Sequence, residues 1–354
     1  MENRFQNIQR VLEDGEAALF FSAAACRYLT DFSYTAGGVL VLPDTAYLLT
    51  DSRYIEAAAE TVTGLQCVCC DGLYRTVETL LGQHGIRRLL VERETSLAVL
   101  DALREKLSVE PVADGRVDRA LAESRLVKSA DERERLIEAQ RLTEMGFSHI
   151  LSFLKAGVTE REAALELEFF IRRAGADGVS FDFIVVSGKN TSKPHGVPTD
   201  KPLENGDFVT MDFGALYRGY HADMTRTVAI GGVSAEQRRV YDTVLQAQQA
   251  ALDVLHAGIS GREGDAAARD VIAAAGYGAY FGHGTGHGVG VEIHEAPSLS
   301  PRAAEQPLPI GCVVTVEPGI YLPGRFGVRI EDMVMLTADG CENLTKAPKE
   351  LIIL

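Results

Sequence analysis

The sequence predicts two domains of different class: an α/β domain over residues 1–122, and an α+β domain over residues 123–354 that repeats one helix–helix–hairpin unit. Three observations predict this architecture. Short apolar runs alternate with amphipathic stretches in the first third of the chain, and a helix–helix–hairpin pattern occurs twice in the rest. A length of 354 residues, 46% of them hydrophobic, supplies enough apolar material for two full-sized cores.

The front domain contains apolar runs of strand length, separated by polar, helix-like segments. These runs lie at residues 17–22, 38–42, 46–50 and 88–91. No glycine-rich phosphate loop accompanies them, which disfavours a nucleotide site. Cys67, Cys69 and Cys70 match neither a paired zinc motif nor a thioredoxin-like site, so we interpret them as reduced structural thiols at a strand.

The charge balance excludes several kinds of partner. With 35 Lys+Arg against 50 Asp+Glu, the formal net charge is -15 and no basic stripe is present, so we expect no nucleic acid and no anionic membrane as a partner. No apolar run approaches the roughly 20 residues that a membrane-spanning helix needs. The start of the chain lacks the apolar core of a signal peptide, so we expect a cytoplasmic location.

The second domain opens with a capping box at Ser129 and Glu132, and another box, at Ser234 and Gln237, follows 105 residues later. Each box begins a long helix that ends at a glycine, and a second helix follows that also ends at a glycine. These glycines are Gly157 and Gly175 in the first copy and Gly258 and Gly276 in the second. The pattern predicts an internal duplication.

An acidic hairpin ends each copy of the repeat. In the first, alternation places Thr210 and Asp212 on one face of a strand and Asp223 on the same face of the returning strand. In the second, Glu317 and Glu331 occupy the corresponding places. Two halves related by a pseudo-twofold axis would bring the four acids together. Carboxylates packed in a protected site need protons or cations, so the pattern favours multivalent metal.

A glycine-rich segment between the hairpins carries three of the eight histidines, His283, His287 and His294. Glycine lets backbone approach a site closely, and neutral imidazole is the usual nitrogen ligand of a catalytic divalent ion. A lone histidine is more often a satisfied structural residue. Three histidines beside four acids favour a metal site.

These residues resemble the signature of the pita-bread metallopeptidases, in particular the Xaa-Pro aminopeptidases and prolidases. The matching motifs are Asp212-Phe-Gly, Ala222-Asp223-Met-Thr-Arg-Thr, His283-Gly-Thr-Gly-His287-Gly, His294-Glu-Ala-Pro, Glu317-Pro-Gly and Arg329-Ile-Glu331-Asp. The match extends to residues 187–196, and residues 27–32 and 49–54 resemble the creatinase-type N-terminal domain. The resemblance implies a pita-bread catalytic domain behind a creatinase-like α/β domain.

The resemblance makes Asp212, Asp223, His287, Glu317 and Glu331 the ligands of two divalent ions, with Asp223 and Glu331 bridging both. Four carboxylates and one imidazole form a hard ligand set that suits Mn²⁺ best, although Co²⁺, Zn²⁺ or Fe²⁺ can also bind such a set. A pair of ions activates a water and polarises the scissile carbonyl.

The resemblance also implies roles beside the ions. Glu317 is expected to carry a proton from the water to the leaving proline nitrogen. His195 and His294 are expected to stabilise the oxyanion and position the tertiary amide, with His283 and Arg329 as their supports. For these last four residues a structural role is the alternative, with Arg329 paired to an acid and His283 holding a loop.

The sequence leaves three functions open. The first is an aminopeptidase P that removes the residue before a proline in second position, with a homodimer as the expected assembly. The second is a prolidase restricted to Xaa-Pro dipeptides, and the third is a binding module, disfavoured because no ligand is missing. Ser298 stands where dipeptide-specific relatives often carry an arginine for the substrate carboxylate, which favours the first. Asp31 and Cys26 depart from the family pattern in a front-domain loop.

Overall fold

The computed structural model describes residues 4–354. The predictions for the front domain and for the start of the chain include residues 1–3, which lie outside the described part. The chain divides into two compact units, one that ends at Arg125 and one that begins at Leu126. The boundary after residue 122 stays a prediction. In the described part, no helix has the length and apolar character needed to cross a bilayer.

The first unit is built around a six-stranded mixed sheet in the order β4-β3-β2-β1-β5-β6. Its strands are β1 (Glu16–Phe20), β2 (Gly37–Val41), β3 (Ala46–Thr50), β4 (Gln66–Cys69), β5 (Arg88–Val91) and β6 (Glu110–Val112). Its helices are α1 (Gln6–Val11), α2 (Ala23–Thr30), α3 (Ile55–Thr61), α4 (Leu73–Gln83), α5 (Leu97–Lys106) and α6 (Arg116–Leu126). The predicted α/β class is confirmed. The short β6 was not predicted, because three residues that include Pro111 carry no strand pattern.

The second unit begins with the predicted helix pairs. These are α7 (Ala130–Phe153) with α8 (Glu160–Arg173) and α9 (Ala235–Val254) with α10 (Gly261–Ala274). All four helices begin with complete capping boxes, at Ser129, Thr159, Ser234 and Ser260. The duplication is therefore present in the helices, and we refer to residues 129–231 as the first half and residues 234–336 as the second half.

The acidic hairpin of the first half is the pair β9 (Phe208–Phe213) and β12 (Met224–Ala229), with β8 (Ile184–Ser187) on the other edge of β9. The turn is longer than predicted, because β10 (Ala215–Tyr217) and β11 (Tyr220–His221) form a small ribbon that pairs with β7 (Gly178–Val179). At its base a Cβ on Gly214 would lie 1.7 Å from the Ala222 carbonyl oxygen, so only glycine fits. Asp223 consequently lies just before β12, and Asp212 pairs in register with Thr225.

The second half contributes four strands to a five-stranded sheet in the order β14-β13-β15-β18-β19, and β19 follows it in the chain. Its strands are β13 (Gly286–Gly288), β14 (Glu295–Leu299), β15 (Val313–Val316), β18 (Asp332–Leu336) and β19 (Cys341–Asn343). The predicted hairpin is β15 with β18, but a separate two-stranded ribbon, β16 (Gly319–Leu322) and β17 (Phe326–Arg329), is inserted between them. Glu317 and Glu331 lie at the two junctions between the ribbon and the hairpin.

The helices of each half pack mainly on strands of the same half, although Phe208 of β9 and Ala229 of β12 also join the cluster around α9. Leu167 and Ile171 of α8 lie in one apolar cluster with Val209 and Met211 of β9. Val240 and Val244 of α9 lie in another cluster with Val314 and Val334. Full burial of each such side chain stabilises the fold by roughly 1.5–3 kcal/mol. These clusters hold the two acid-bearing hairpins in fixed positions.

Candidate active site

One cavity of about 550 Å³ in the second unit is lined by all of the residues predicted from the sequence to form a site. They come from both halves of the repeat, four from the acidic hairpins, and the rest from loops, from β13 and from the inserted ribbon. The residues are His195, Asp212, Asp223, His283, His287, His294, Glu317, Arg329 and Glu331. The structure therefore brings the predicted set together, while their individual roles stay predictions.

Three of these side chains can place ligand atoms around one point. One atom each from Asp223, His287 and Glu331 lies within 4.8 Å of the other two. The His287 Nε2 atom is 3.5 Å from Asp223 Oδ2 and 3.4 Å from Glu317 Oε1. Asp223 and Glu331 are buried, with 4% and 2% of their surface exposed. This arrangement of nitrogen and carboxylate oxygens is suited to a divalent cation.

The acids repel one another in the absence of a cation. Burial, followed by the neighbouring carboxylates, raises the pKa of Asp223 and of Glu331 well above the usual carboxyl range. Burial raises the pKa of Glu317 to about 8, against the lowering effect of Arg329. Such groups ionise together only when positive charge is supplied, so their chemistry fits a site for metal ions.

A partly buried, neutral imidazole completes the cluster. Burial lowers the pKa of His287 to about 4, which leaves the ring neutral and able to donate a lone pair. The ring Nδ1 lies 3.1 Å from the Gly288 carbonyl oxygen, so Nδ1 carries the proton and Nε2 faces the acids with its lone pair. A Cβ on the adjacent Gly286 would lie 1.9 Å from the Thr315 carbonyl oxygen, so glycine lets β13 bring His287 close to β15.

Arg329 is held between an acid and the inserted ribbon. Its Nη2 donates to Asp212 Oδ2 at 2.5 Å, its Nε to Thr225 Oγ1 at 2.9 Å and its Nη1 to the Tyr321 hydroxyl oxygen at 2.9 Å. The guanidinium is buried, with 3% of the residue exposed. Each of the three guanidinium nitrogens therefore donates a hydrogen bond, so Arg329 is a fixed positive charge beside the acids.

Three residues near the acids were given no role from the sequence. Thr225 donates its hydroxyl to Glu331 Oε2 at 2.6 Å, and Thr315 donates to Glu317 Oε1 at 3.3 Å. The signal for both threonines was present, because each lies two residues along a strand from an acid. Tyr321 links Arg329 to the ring of His283, whose Nε2 is 2.8 Å from the tyrosine hydroxyl. Tyr321 lies on the inserted ribbon, which no pattern predicted.

The remaining wall of the cavity is largely apolar. Phe181 precedes β8, Ile184 is its first residue, Val197 lies in the loop after it, and Ile293 precedes His294. The His294 ring centroid is 4.3 Å from that of His287, so His294 stands next to the acid cluster. A cavity with one charged wall and one apolar wall can hold a small substrate with a reacting carbonyl at the acids and an apolar group opposite.

Comparison with known families matches nearly the whole chain. The family described as metallopeptidase family M24 matches residues 134–338, and the creatinase/prolidase N-terminal domain matches residues 4–127.

Individual relatives are similar over nine-tenths or more of their lengths. An Xaa-Pro dipeptidase from Pyrococcus horikoshii is 36% identical, over 92% of this chain and 91% of the relative. The structure of an Xaa-Pro dipeptidase from Bacillus anthracis superimposes with a TM-score of 0.94 at 43% identity, over 99% of both chains. That of an X-Pro aminopeptidase from Thermotoga maritima does so with a TM-score of 0.90 at 36% identity, over 98% of this chain and 100% of the other.

Proposed function

The chain belongs to metallopeptidase family M24, and from this premise we propose that it is an Xaa-Pro peptidase that removes the residue before a proline in second position. Membership of the family makes the protein a metal-dependent hydrolase. The observation that carries the proposal is the convergence of Asp212, Asp223, Glu317 and Glu331 with His287 in one cavity.

We propose that these five residues hold two divalent ions, with Asp223 and Glu331 placed to touch both. Mn²⁺ is the ion that this oxygen-rich set fits best. Bound there, such ions supply a Lewis acid and lower the pKa of a water to near neutrality. The raised pKa values of Asp223, Glu317 and Glu331 support the proposal, because each of these carboxylates gains from added positive charge.

The chain's own residues divide the remaining work. Glu317 accepts the proton of the attacking water and delivers it to the proline nitrogen, a poor leaving group unless it is protonated. His294 and His195 donate hydrogen bonds to the oxyanion and hold the tertiary amide. Arg329 keeps Asp212 in place, and Tyr321 keeps the His283 ring oriented.

The geometry favours substrates longer than a dipeptide. A dipeptide places a carboxylate one residue beyond the scissile bond, and leaving that group unpaired in a partly desolvated site costs about 1–3 kcal/mol. Arg329 is the one Lys or Arg among the described residues that line the cavity, and acids already engage it. Ser298, which pairs in register with His287, supplies no charge. We therefore propose an activity of the aminopeptidase P type.

A second candidate is a prolidase specific for Xaa-Pro dipeptides. It is supported by the names of the relatives from Pyrococcus horikoshii and Bacillus anthracis, both Xaa-Pro dipeptidases. The homodimer and the cytoplasmic location expected from the sequence also stay proposals.

The test is an assay with Mn²⁺ that compares an Xaa-Pro dipeptide, an Xaa-Pro-Xaa tripeptide and the N-acetylated tripeptide. We expect the tripeptide to have the higher kcat/KM and the acetylated peptide to resist cleavage. Strong preference for the dipeptide would establish the second candidate. Cleavage of the blocked peptide would exclude an exopeptidase of either kind.

A further inference from the structure

Glu160 is a buried carboxylate that the proposed mechanism does not use. It is the first residue of α8 and has no exposed surface, at 0%. A charged group in this position costs stability unless hydrogen bonds satisfy both of its oxygens. Burial by itself acts to raise the pKa of Glu160, but hydrogen bonds from Thr199, Asn190 and Ser187 outweigh it and hold the pKa below its usual value.

The hydrogen bonds to Glu160 come from the two ends of one loop. At the first end, Ser187 donates its amide N–H to Oε1 at 2.6 Å and its hydroxyl at 2.9 Å. At the other end, Thr199 donates its amide N–H to Oε2 at 3.0 Å and its hydroxyl at 2.6 Å. The side-chain amide of Asn190 lies between, 3.0 Å from Oε1 and 3.3 Å from Oε2. Each oxygen thus receives one backbone N–H and one hydroxyl.

Residues 187–199, which we call the pocket loop, form part of the cavity wall. Pro194, His195, Val197 and Pro198 all line the cavity. The Pro194 carbonyl oxygen also accepts a hydrogen bond from Arg329 Nη1 at 3.3 Å, so the loop is tied to the acid cluster as well. The position of this wall therefore depends on where the ends of the loop are held.

We propose that Glu160 is a positioning residue that closes the pocket loop and thereby sets His195 and Val197 against the second residue of the substrate. The proposal deepens the proposed function and rests on it, since His195 is the group assigned to the tertiary amide. A shift of about 1 Å at such a group is enough to cost roughly 100-fold in rate. Glu160 accordingly controls the discrimination between proline and other residues in second position.

A carboxylate is required at this position, and an amide is not equivalent. In Glu160→Gln, the side-chain NH₂ must face one of the two backbone N–H groups, at Ser187 or at Thr199, and two donors cannot bond each other. One end of the loop is then released while the volume of the side chain is kept. The substitution therefore tests the position of the loop with little change in packing.

The chain offers a matched control in the same helical turn. Glu162 is exposed and accepts hydrogen bonds from the Thr159 N–H at 2.8 Å and hydroxyl at 2.9 Å, so it caps α8 and contacts no residue of the pocket loop through these bonds. Glu162→Gln removes the same charge from the same turn. A loss caused by weakening of α8 appears in both variants, whereas a loss caused by the loop appears only in Glu160→Gln.

The experiment compares the two variants in Mn²⁺ with Xaa-Pro-Xaa and Xaa-Ala-Xaa tripeptides, and measures hydrogen exchange across the pocket loop. For Glu160→Gln we expect unchanged metal content, a fall in kcat/KM for the proline peptide of about 10- to 100-fold, a smaller ratio of proline to alanine cleavage and faster exchange in the loop. For Glu162→Gln we expect wild-type ratios and exchange. Unchanged ratio and exchange in Glu160→Gln would overturn the proposal.

Two further measurements cover the case in which Glu160→Gln does not fold and the case in which the wild-type protein cleaves no Xaa-Pro peptide. If Glu160→Gln does not fold, Thr199→Val removes the hydroxyl that donates to Oε2 and accepts from the Lys201 N–H at 3.2 Å, while the Thr199 N–H still donates to Oε2. This variant should shift the ratio and the exchange in the same direction by a smaller amount. Wild-type behaviour of Thr199→Val would then overturn the proposal. If the wild-type protein cleaves no Xaa-Pro peptide, the proposed function fails, and the exchange of the pocket loop still decides whether Glu160 closes it.

Discussion

The two halves of the second unit each hold a histidine-bearing loop with a buried acid from their second helix, but the loops do different work. In the first half, Glu160 of α8 closes the pocket loop, which contributes His195 to the wall of the cavity. In the second half, Asp265 of α10 holds the loop that carries His283 and leads to His287 of the candidate metal site.

The second loop is held by an ion pair as well as by hydrogen bonds. Asp265, with 2% of its surface exposed, accepts the Thr285 N–H at 3.0 Å and its hydroxyl at 2.9 Å. Arg269 donates to Asp265 and also to the carbonyl oxygens of Phe281 at 3.0 Å and His283 at 2.7 Å. Loosening the first loop should therefore change selectivity, and loosening the second should change metal binding.

The largest loss of activity is expected when one of the two most buried acids of the cluster is changed, because each half of the second unit contributes one of them. Asp223 and Glu331 are both buried in the cluster, so Asp223→Asn and Glu331→Gln should each collapse activity while the fold survives. The loss should exceed the roughly 10- to 100-fold that follows removal of an outer partner of a metal ligand. Metal analysis and kcat on the purified variants check this. A Glu331→Gln variant with two ions per chain and near-normal turnover would remove its bridging role.

The histidines on the two sides of the cavity should separate transition-state binding from metal binding. His294→Ala should lower kcat by roughly 100-fold with metal content unchanged, the scale of losing an oxyanion donor. His195→Ala, on the pocket loop, should act in the same way. Metal loss in His294→Ala would instead make this residue a ligand.

Release of the second loop should reduce affinity for the ion. Asp265→Asn should weaken metal binding by about 10- to 100-fold, because His287 loses its fixed position. Asp270→Asn, an exposed site on the same helix, is the matched control and should bind metal like the wild type. Isothermal calorimetry, with metal titrated into each variant, compares their affinities for the ion. Equal affinities in the two variants would contradict the difference between the loops.

The smallest effect is a pH dependence of the metal-free protein. Because the pKa of Glu317 is raised from 4.5 to about 8, the folded state keeps a proton that the unfolded chain has released, and the free energy of unfolding falls as pH rises through this window. Asp223 and Glu331 act in the same direction. His283 and His287, whose pKa values are lowered from 6.5 to about 4, act oppositely below pH 6.5.

The informative interval is therefore between pH 6.5 and 8. With chelator present, the Tm should be lower at pH 8 than at pH 6.5. Saturating Mn²⁺ should reduce this difference, because the ion replaces the protons. A chelated protein that is more stable at pH 8 would contradict the assigned pKa directions.

The sequence predicted those parts of the fold and site that repeat or alternate. Capping boxes at Ser129 and Ser234 marked the duplicated helices, and the alternation around Asp212 marked an acid-bearing strand. Tyr321 could not be predicted in this way, because it lies on a ribbon inserted where the glycine and proline residues after Glu317 predicted only a turn. Glu160 was also missed, since an acid in the first turn of a helix is usually an exposed partner of the helix dipole. Its burial depends on a loop that closes from residues far along the chain.

The hydrogen bond from Thr225 to Glu331 joins residues 106 positions apart, which means that neither half can assemble the site by itself. Contacts of such long range form late in folding, because closing a large loop of chain has an entropic cost that must first be overcome. A bound ion, which needs ligands from both halves, therefore stabilises the docked arrangement of the two halves. Each tenfold rise in free ion above its dissociation constant adds about 1.4 kcal/mol to that docking. Ion supply can thus offset a mutation that loosens a hairpin far from the ligands.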